Sequence, residues 1–341
     1  MKTKIFYIFV ALLLSAFFLS PIMAFGAENA NYSMEKLFYM SQANEKTAIP
    51  IIQKNADKID ILAPQAYAVK SDLNLYGSLS EELKEVIKER NLKVMPLVVN
   101  SKFLQSTIHN LLLSEEAQDR VIAGLVELAK KNNYIGWQFD FENINYKDKE
   151  LYSTFIEKTA KELHKNNLIL SVAAVSRTAD YENTLAYINW GGVYDYQRIA
   201  DAVDFISLMT YDDSKSYGPT SSVLFVKQVL DYVKDKIPAE KLSMGVPFYY
   251  WGWSIYPVKR VSSGGYSLVK YTMDNFWCQY GFDNTLGVPW LVYSSGNRSY
   301  KIWYENRKSF EIKLNIVKDN NLRGFSAWVL GSEDPEIWNF L

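Results

Sequence analysis

Short apolar runs typical of β-strands recur along most of the chain, and longer amphipathic runs separate them. The strand candidates are Leu37–Ser41, Ile59–Ala68, Leu92–Val99, Ile135–Phe141, Leu168–Val175, Phe205–Tyr211, Leu242–Phe248 and Gly324–Leu330. Helix candidates between them include Ser80–Glu89, Ser114–Asn132, Lys149–Asn166, Tyr196–Ala202, Ser222–Lys236 and Ser309–Asn320. Eight strands that alternate with helices predict a (β/α)8 barrel, also called a TIM barrel.

An open, doubly wound sheet is the alternative fold. That fold commonly binds nucleotides through a glycine-rich loop after its first strand. No strand candidate in this sequence is followed by such a loop. The barrel is therefore the preferred prediction.

The connection between the seventh and eighth strand candidates is unusually long, at about seventy residues. Residues 250–309 are rich in Tyr, Trp and Gly, and parts of this segment alternate as strands do. We predict a small β-rich insertion beside the barrel mouth, with a long decorated loop as the alternative. Residues 28–341 then form one barrel domain that includes this insertion.

The amino terminus has the pattern of a secretory signal. Met1–Lys4 is basic, an apolar run follows from Ile5 to about Phe18, and small residues lie near Ala24–Ala27. The apolar run is short for a membrane span, so a cleaved signal over residues 1–27 is preferred to a single anchor. We expect a bacterial protein that is secreted or held at the cell wall, with no membrane contact in the mature form.

Composition excludes several kinds of chemistry. The 341 residues carry a net charge of −1, which gives no sign of a nucleic-acid partner. Two histidines and one cysteine, Cys278, make zinc sites and His-based triads improbable, and no intrachain disulfide can form. We expect neither cofactor nor metal. The 9 Trp and 24 Tyr suit a carbohydrate cleft, although a large core also uses such residues.

The fourth strand candidate has one aromatic and one polar face, since successive side chains on a strand point to opposite sides. The aromatic face carries Trp137, Phe139 and Phe141. The polar face carries Gln138, Asp140 and Glu142. Two adjacent carboxyl groups on a buried strand are costly unless they are used, and their pKa values separate so that one stays protonated at neutral pH. The alternative is the solvated face of an edge strand, which the aromatic opposite face disfavours.

The carboxyl ends of the strands form the face of a barrel where active sites lie. The sixth, seventh and eighth candidates end in polar and aromatic residues: Ser207–Asp213, Pro247–Trp253 and Ala327–Gly331. Together with the fourth strand they predict a cup with carboxylates on one wall, tyrosines opposite and a tryptophan floor.

At these positions the chain resembles glycoside hydrolase family 18. The fourth strand of that family carries Asp-Gly-x-Asp-x-Asp-x-Glu, and residues 135–142 here are Ile-Gly-Trp-Gln-Phe-Asp-Phe-Glu. The Met-x-Tyr-Asp of the family's sixth strand matches residues 209–212, and its eighth-strand tryptophan matches Trp328. An insertion between strands seven and eight is also a family trait. The segments Gly-Val-Pro-Phe-Tyr and Ala-Trp-Val-Leu-Gly look most like the branch that includes spore-cortex and cell-wall N-acetylglucosaminidases.

The resemblance implies a retaining hydrolysis assisted by the substrate. Glu142 would protonate the leaving oxygen while the sugar's own acetamido group attacks the anomeric carbon. Asp140 would hold the acetamide N–H and keep the pKa of Glu142 high. Tyr211 would bind the acetamide oxygen, Asp212 would orient the sugar, and Trp328 would stack beneath it.

Further substrate contacts are assigned to residues on the same strands and strand ends: Met209, Gln138, Tyr249 and Trp253. Tyr67 and Trp251 are weaker candidates for outer sugar subsites. By pattern alone, Tyr211 and Trp328 are ordinary core residues and Asp212 is a turn residue, so these assignments depend on the resemblance.

The sequence departs from the family pattern at two positions, because Ile135 and Gln138 replace the first two aspartates. An amide at 138 can hydrogen-bond Asp140 but cannot share its charge. We expect a shifted pH optimum rather than an inactive site, since Asp140 and Glu142 remain.

Two functions of different classes follow. The first is a secreted hydrolase of the β-1,4 bonds of polymers that contain N-acetylglucosamine, with peptidoglycan preferred and chitin second, acting as a monomer. The second is a sugar-binding protein without catalysis. Glu142 favours the hydrolase, and Gln138 keeps the binding protein open.

Overall fold

A computed structural model describes residues 33–213 and 217–341, so the predicted signal peptide lies outside the described residues. Within them the strands are β1 (Glu35–Ser41), β2 (Ile61–Val69), β3 (Leu75–Gly77), β4 (Leu97–Asn100), β5 (Gly136–Asp140), β6 (Ile169–Val175), β7 (Phe205–Met209), β8 (Leu242–Pro247), β9 (Tyr249–Ser254), β10 (Lys259–Gly265), β11 (Cys278–Asp283), β12 (Val288–Ser295), β13 (Arg298–Trp303) and β14 (Gly324–Trp328). The α-helices are α1 (Glu45–Asn55), α2 (Glu81–Arg90), α3 (Gln105–Leu113), α4 (Glu115–Asn132), α5 (Lys149–Lys165), α6 (Tyr196–Ala202), α7 (Val223–Val233), α8 (Tyr266–Asn275) and α9 (Arg307–Asp319).

A closed parallel barrel forms the body of the molecule. Its strands follow one another in the order β1, β2, β4, β5, β6, β7, β8 and β14. β1 pairs in parallel with both β2 and β14, which closes the cylinder. At least one helix lies between each pair of consecutive barrel strands. The predicted (β/α)8 barrel is therefore confirmed.

The third barrel strand is shorter than the sequence pattern predicted. We expected a strand from Leu92 to Val99, but β4 begins at Leu97. Pro96 precedes it and has no amide hydrogen to donate to a neighbouring strand. Val94 makes only an isolated bridge to Leu62 on β2.

The predicted β-rich insertion lies between the seventh and eighth barrel strands, β8 and β14. It is an antiparallel sheet with the strand order β10-β9-β13-β12-β11. Helix α8 connects β10 to β11. A small apolar core joins the sheet to this helix, built from Tyr250, Val269, Leu291, Ile302 and Tyr304.

Strand β5 has the two faces that its alternation predicted. On the outer face, the Trp137 indole N–H donates to the Leu125 carbonyl of α4 at 3.0 Å. The Phe139 ring stacks on Phe155 of α5, with the ring centroids 5.6 Å apart. Gln138 and Asp140 lie on the opposite face and are also buried, inside the barrel. The helices thus cover the aromatic face, and the polar side chains converge on the barrel axis.

Side-chain caps begin several of the outer helices. Ser114 accepts from the Ala117 amide at the start of α4, and Ser222 accepts from Phe225 at the start of α7. Asn306 and Ser309 form a reciprocal capping box on α9. In the part of the chain that the structure describes, no helix combines the length and apolarity needed to cross a membrane.

Candidate active site

Asp140 and Glu142 lie at the carboxyl end of β5, where the barrel opens. Asp140 is only 5% exposed, and Glu142 is half-buried. Asn100, the last residue of β4, holds the backbone of Glu142 from one side. Its side chain accepts from the Glu142 amide at 3.0 Å and donates to the Glu142 carbonyl at 2.9 Å. From another neighbouring element, the Tyr194 hydroxyl donates to the Phe141 carbonyl at 2.8 Å. The position of the Glu142 backbone is therefore fixed by side chains from two directions.

Burial makes the two carboxyl groups unequal acids. The pKa of Glu142 is raised well above its ordinary value, first by burial and then by the negative charges of Asp140 and Asp212. Burial also raises the pKa of Asp140, but hydrogen bonds from Gln65 and Glu142 oppose that rise. The Gln65 amide lies 3.4 Å from the Asp140 carboxylate. The larger rise in pKa at Glu142 therefore favours this residue as the one that holds a shared proton at pH 7.

Tyr211, Asp212 and Tyr249 form the wall opposite. The Tyr249 hydroxyl donates to Asp212 at 2.6 Å, and the Tyr211 and Tyr249 rings meet edge to face with centroids 6.2 Å apart. Burial raises the pKa of Tyr211 far above its ordinary value, so this phenol stays a neutral hydrogen-bond donor. A side chain at Gly245 would lie 2.8 Å from the Tyr211 ring and 2.6 Å from the Leu208 carbonyl. Glycine at this position lets Tyr211 pack directly against β8.

The pKa of Asp212 is also raised, because the surrounding walls displace water from its carboxyl group. The hydrogen bond from Tyr249 and the positive charge of Arg260 oppose this rise. Asp212 itself has a positive φ of 61°, just beyond the end of β7. Aspartate tolerates this left-handed conformation better than most residues do.

Beneath the carboxyl pair lies a neutral polar cluster around Gln138. The Gln138 amide donates to Ser171 at 2.7 Å and to Ser207 at 2.9 Å. Ser207 continues to Ser326, 2.8 Å away. The expected hydrogen bond between Gln138 and Asp140 is not formed among the described residues, because these serines on β6 and β7 take the amide hydrogens. Gln138 is fully buried, and its assignment as a substrate contact stays a prediction.

A cleft of about 560 Å³ opens from Glu142 along the barrel mouth. Met209, Tyr211 and Asp212 line it on the side of β7. Its other wall is a segment between β6 and α6, residues 176–191, which the sequence reasoning missed. This segment contributes Tyr181, Leu185, Tyr187 and Trp190 to the cleft. The length of the connection between β6 and α6 and the aromatic residues in it are the sequence features that could have revealed this wall.

Arg177 anchors that wall. Its guanidinium donates to the Gly191 carbonyl at 2.5 Å and to the Tyr194 carbonyl at 3.2 Å. It also lies 4.7 Å from the centre of the Tyr196 ring. The backbone of the wall is thus tied to the barrel on the same side as Tyr194, which supports the Glu142 strand.

The remaining predicted residues occupy different environments. Trp328 ends β14 half-buried, with its ring 5.5 Å from that of Tyr39 inside the barrel. Trp253 lies on the insertion and donates its indole N–H to the Gly218 carbonyl at 2.9 Å. Trp251 is buried. The suggestion that Tyr67 contacts an outer sugar is wrong, because Tyr67 is 3% exposed and packs against Trp137 on the outer side of the barrel.

A neutral carboxylic acid beside an anionic carboxylate, at the edge of an open cleft, can protonate a leaving group and then act as a base. In the described part of the chain, no cluster of three or more His, Cys, Asp or Glu side chains is arranged to hold a metal ion.

Comparison with known proteins identifies a matching family and several similar proteins. Residues 22–333 match the model of a family described as glycosyl hydrolases family 18. A cortical fragment-lytic enzyme of Bacillus subtilis is 29% identical over 272 residues, which cover 76% of this chain and 62% of that protein. This chain therefore spans less than two thirds of that relative's length.

Two solved structures are similar over most of the chain. The spore cortex-lytic enzyme SleL of Bacillus megaterium aligns with a TM-score of 0.80 and 26% identity, covering 91% of this chain and 74% of that one. A chitinase of Chromobacterium violaceum has the same TM-score, 0.80, at 22% identity, covering 90% of this chain and 97% of that one. The second likeness shows a shared fold.

Because the pKa of Glu142 is raised, replacing this residue with an uncharged one should stabilise the protein, and the gain should depend on pH. A carboxyl group whose pKa is higher in the folded than in the unfolded state destabilises the fold as pH rises above the unfolded value. Glu142→Gln should raise the free energy of unfolding at pH 8 by on the order of 1 to 2 kcal/mol, and the gain should shrink toward pH 4. Urea unfolding at both pH values measures this, with the exposed Glu89→Gln as a control expected to change little. An equal gain at both pH values would contradict the raised pKa.

Proposed function

Because the chain belongs to glycosyl hydrolases family 18, we propose that it is a secreted glycosidase that cleaves β-1,4 bonds next to N-acetylglucosamine. Peptidoglycan is the proposed first substrate and chitin the second. The observation that carries the proposal is the carboxyl pair at the end of β5, in which Glu142, whose pKa is raised by burial and by the charge of Asp140, lies at the cleft. This pair supplies the proton donor that cleavage of a glycosidic bond requires.

The preference for peptidoglycan draws on the relatives. Two proteins that resemble this chain are named for lysis of the spore cortex or its fragments, and they align over 76% and 91% of it. A chitinase shares the fold at lower identity. The proposed order of substrates follows these similarities.

The proposed mechanism begins with Glu142, which donates its proton to the leaving oxygen. The 2-acetamido oxygen of the substrate attacks the anomeric carbon and forms a cyclic oxazolinium ion. Asp140, whose anionic form is favoured once Glu142 holds the shared proton, accepts the acetamide N–H. Ionised Glu142 then removes a proton from water, which opens the ring with overall retention of configuration. This route is a substrate-assisted variant of glycoside hydrolysis.

Tyr211 and Asp212 complete the proposed sugar site. The neutral Tyr211 phenol donates to the acetamide oxygen and directs it toward the anomeric carbon. Asp212, held by Tyr249 at 2.6 Å, accepts from the sugar. Trp328, at the end of β14, offers the aromatic surface on which the sugar ring stacks.

Secretion and a monomeric state are part of the proposal. The basic start, apolar run and small residues at the amino terminus support export. Secretion is tested by digesting the expressed precursor with signal peptidase and by sequencing the amino terminus of the secreted form.

A sugar-binding protein without catalysis is the second candidate. The observation that favours it is Gln138, an amide where the motif that this strand resembles has an aspartate, bound to serines instead of supporting Asp140. The raised pKa of Glu142 favours the hydrolase, because a binding protein has no use for a costly buried acid.

Replacing the proposed acid separates the two functions. Glu142→Gln keeps the size and the backbone contacts of the residue but removes the proton that is transferred, so turnover should fall by about a thousandfold or more. Release of new reducing N-acetylglucosamine ends, measured by mass spectrometry from peptidoglycan and from chitin oligosaccharides, gives the result. Sugar affinity should stay close to that of the parent. Unchanged turnover would remove Glu142 from the role of acid, and a parent without turnover would favour the binding protein.

A carboxylate beneath the pair should change the pH dependence of turnover. In Gln138→Asp, a new negative charge would oppose ionisation of Asp140 and Glu142 and raise the pKa of the pair. The alkaline limb of the profile of kcat/KM against pH should therefore move to higher pH. Gln138→Glu, which carries the same charge on the original chain length, is the matched comparison. If neither variant moves the profile, Gln138 has no electrostatic role in the site.

A further inference from the structure

One face of the insertion sheet carries tryptophans and cations. Residues paired across neighbouring antiparallel strands lie on the same face of a sheet. Trp290 pairs with Trp303, and Trp303 pairs with Trp251. In the next row, Trp253 pairs with Arg260. The opposite face of the sheet packs on α8, so this tryptophan face is the one that is not used by the insertion's own core.

The tryptophan face lies toward the carboxyl ends of the barrel strands. Trp253 donates to the Gly218 carbonyl at 2.9 Å, and the Tyr217 ring meets the Trp253 ring with centroids 5.7 Å apart. Both partners follow the β7 strand end that bears Asp212. The positive charge of Arg260 lowers the pKa values of Asp212 and Tyr249, in opposition to their burial. Arg260 is therefore close enough to the sugar site for its charge to act there.

Arg260 is held by an aromatic ring and not by a carboxylate. Its guanidinium carbon lies 4.6 Å from the centre of the Trp251 ring. Among the described residues, the arginines that form ion pairs are Arg120, Arg177, Arg198 and Arg323, and Arg260 is not one of them. Arg323 and Arg198, by contrast, each bind a glutamate through two nitrogens. Arg260 is thus an exposed guanidinium beside the site whose N–H groups bind no acceptor among the described residues.

A guanidinium stacked on tryptophan has a fixed plane and presents paired N–H donors at its edge. This geometry matches the two oxygens of a carboxylate. Stacking also reduces the side-chain freedom that binding would otherwise remove. A neutral sugar offers hydroxyl groups to such a site, whereas an acidic glycan offers the matching charge.

We propose that Arg260 is a specificity-determining residue that binds a carboxylate carried by the glycan, so that acidic strands are preferred to neutral ones. The inference rests on the proposed glycosidase function. In peptidoglycan the carboxylate belongs either to the lactyl ether of muramic acid or to the stem peptide. Chitin carries neither group.

The test compares strands that differ only in charge. Peptidoglycan strands freed of stem peptides carry lactyl carboxylates, and amidation with a carbodiimide and ammonia neutralises them. For the parent, kcat/KM should be about tenfold higher on the free than on the amidated strands, as expected for one charge-assisted hydrogen-bonded pair. In Arg260→Gln this ratio should fall close to one. Lys259→Gln removes the same charge from the neighbouring residue, which is on the opposite face, and should keep the parent ratio.

Strands that retain their stem peptides distinguish the two carboxylates. If amidation lowers the kcat/KM of the parent only on strands that retain stem peptides, Arg260 binds a carboxylate of the stem peptide. If amidation also lowers it on peptide-free strands, Arg260 binds the lactyl carboxylate. An Arg260→Gln variant with the parent ratio on both kinds of strand would overturn the proposal.

Glycan binding measured in the inactive Glu142→Gln protein separates the proposed role of Arg260 from the proposed glycosidase function. Calorimetric titration of Glu142→Gln with free and amidated strands needs no turnover. The additional Arg260→Gln change should weaken binding of free strands by about tenfold and bring it to the level of amidated strands. Equal binding of free strands by the two proteins would overturn the role of Arg260, whereas a parent without turnover would count against the glycosidase alone.

Discussion

Two carboxyl groups that are two residues apart on one strand, in a largely buried position, cannot both be ionised at low cost. Both pKa values are raised, and the larger rise at Glu142 favours a proton on Glu142 and the negative charge on Asp140. Most features around the pair serve that arrangement. Asn100 and Tyr194 fix the strand end, the tyrosine wall stays neutral, and Gln65 donates toward the Asp140 carboxylate. The barrel provides the rigid frame because β5 is hydrogen-bonded to a parallel neighbour on each side.

The interior below the pair is polar but uncharged. Gln138, Ser171, Ser207 and Ser326 form a continuous hydrogen-bonded cluster across β5, β6, β7 and β14. The Gln138 N–H groups and the serine hydroxyls bind one another, whereas the Gln138 carbonyl oxygen has no hydrogen-bond partner among the described residues. A carboxylate at 138 would add a third negative charge to this half of the barrel. The amide instead leaves the electrostatics of the site to Asp140, Glu142 and Asp212.

Much of this arrangement follows from sequence periodicity. The alternation in β5 predicts which side chains face inward, and the alternating strands and helices predict that the polar strand ends meet at one face. Pairwise contacts between distant segments are different, since periodicity carries no information on them. Asn100 clamps Glu142 although 42 positions separate them, and nothing local to residue 100 predicts this bond. The partners of Gln138 are unpredictable from β5 for the same reason, because Ser171 and Ser207 lie on other strands.

The sequence also did not predict the cleft wall formed by residues 176–191 or the position of Arg260 on the insertion. The wall follows no simple period, and its position depends on Arg177 bridging to Gly191 and Tyr194. Arg260 reaches the site only through the register of β10 with β9, which includes a bulge between Arg260 and Ser262. A shift of one residue in that register would turn Arg260 to the opposite face of the sheet.

The proposed chemistry requires that Glu142 carries a proton at neutral pH and that Asp140 does not. Carboxyl ¹³C chemical shifts of the protein labelled at its Asp and Glu side chains measure this directly, with the two signals assigned through Glu142→Gln and Asp140→Asn. At pH 7 the Glu142 signal should have the shift of a protonated acid and the Asp140 signal that of a carboxylate. A Glu142 signal already ionised at pH 7, or a proton found on Asp140 instead, would contradict it.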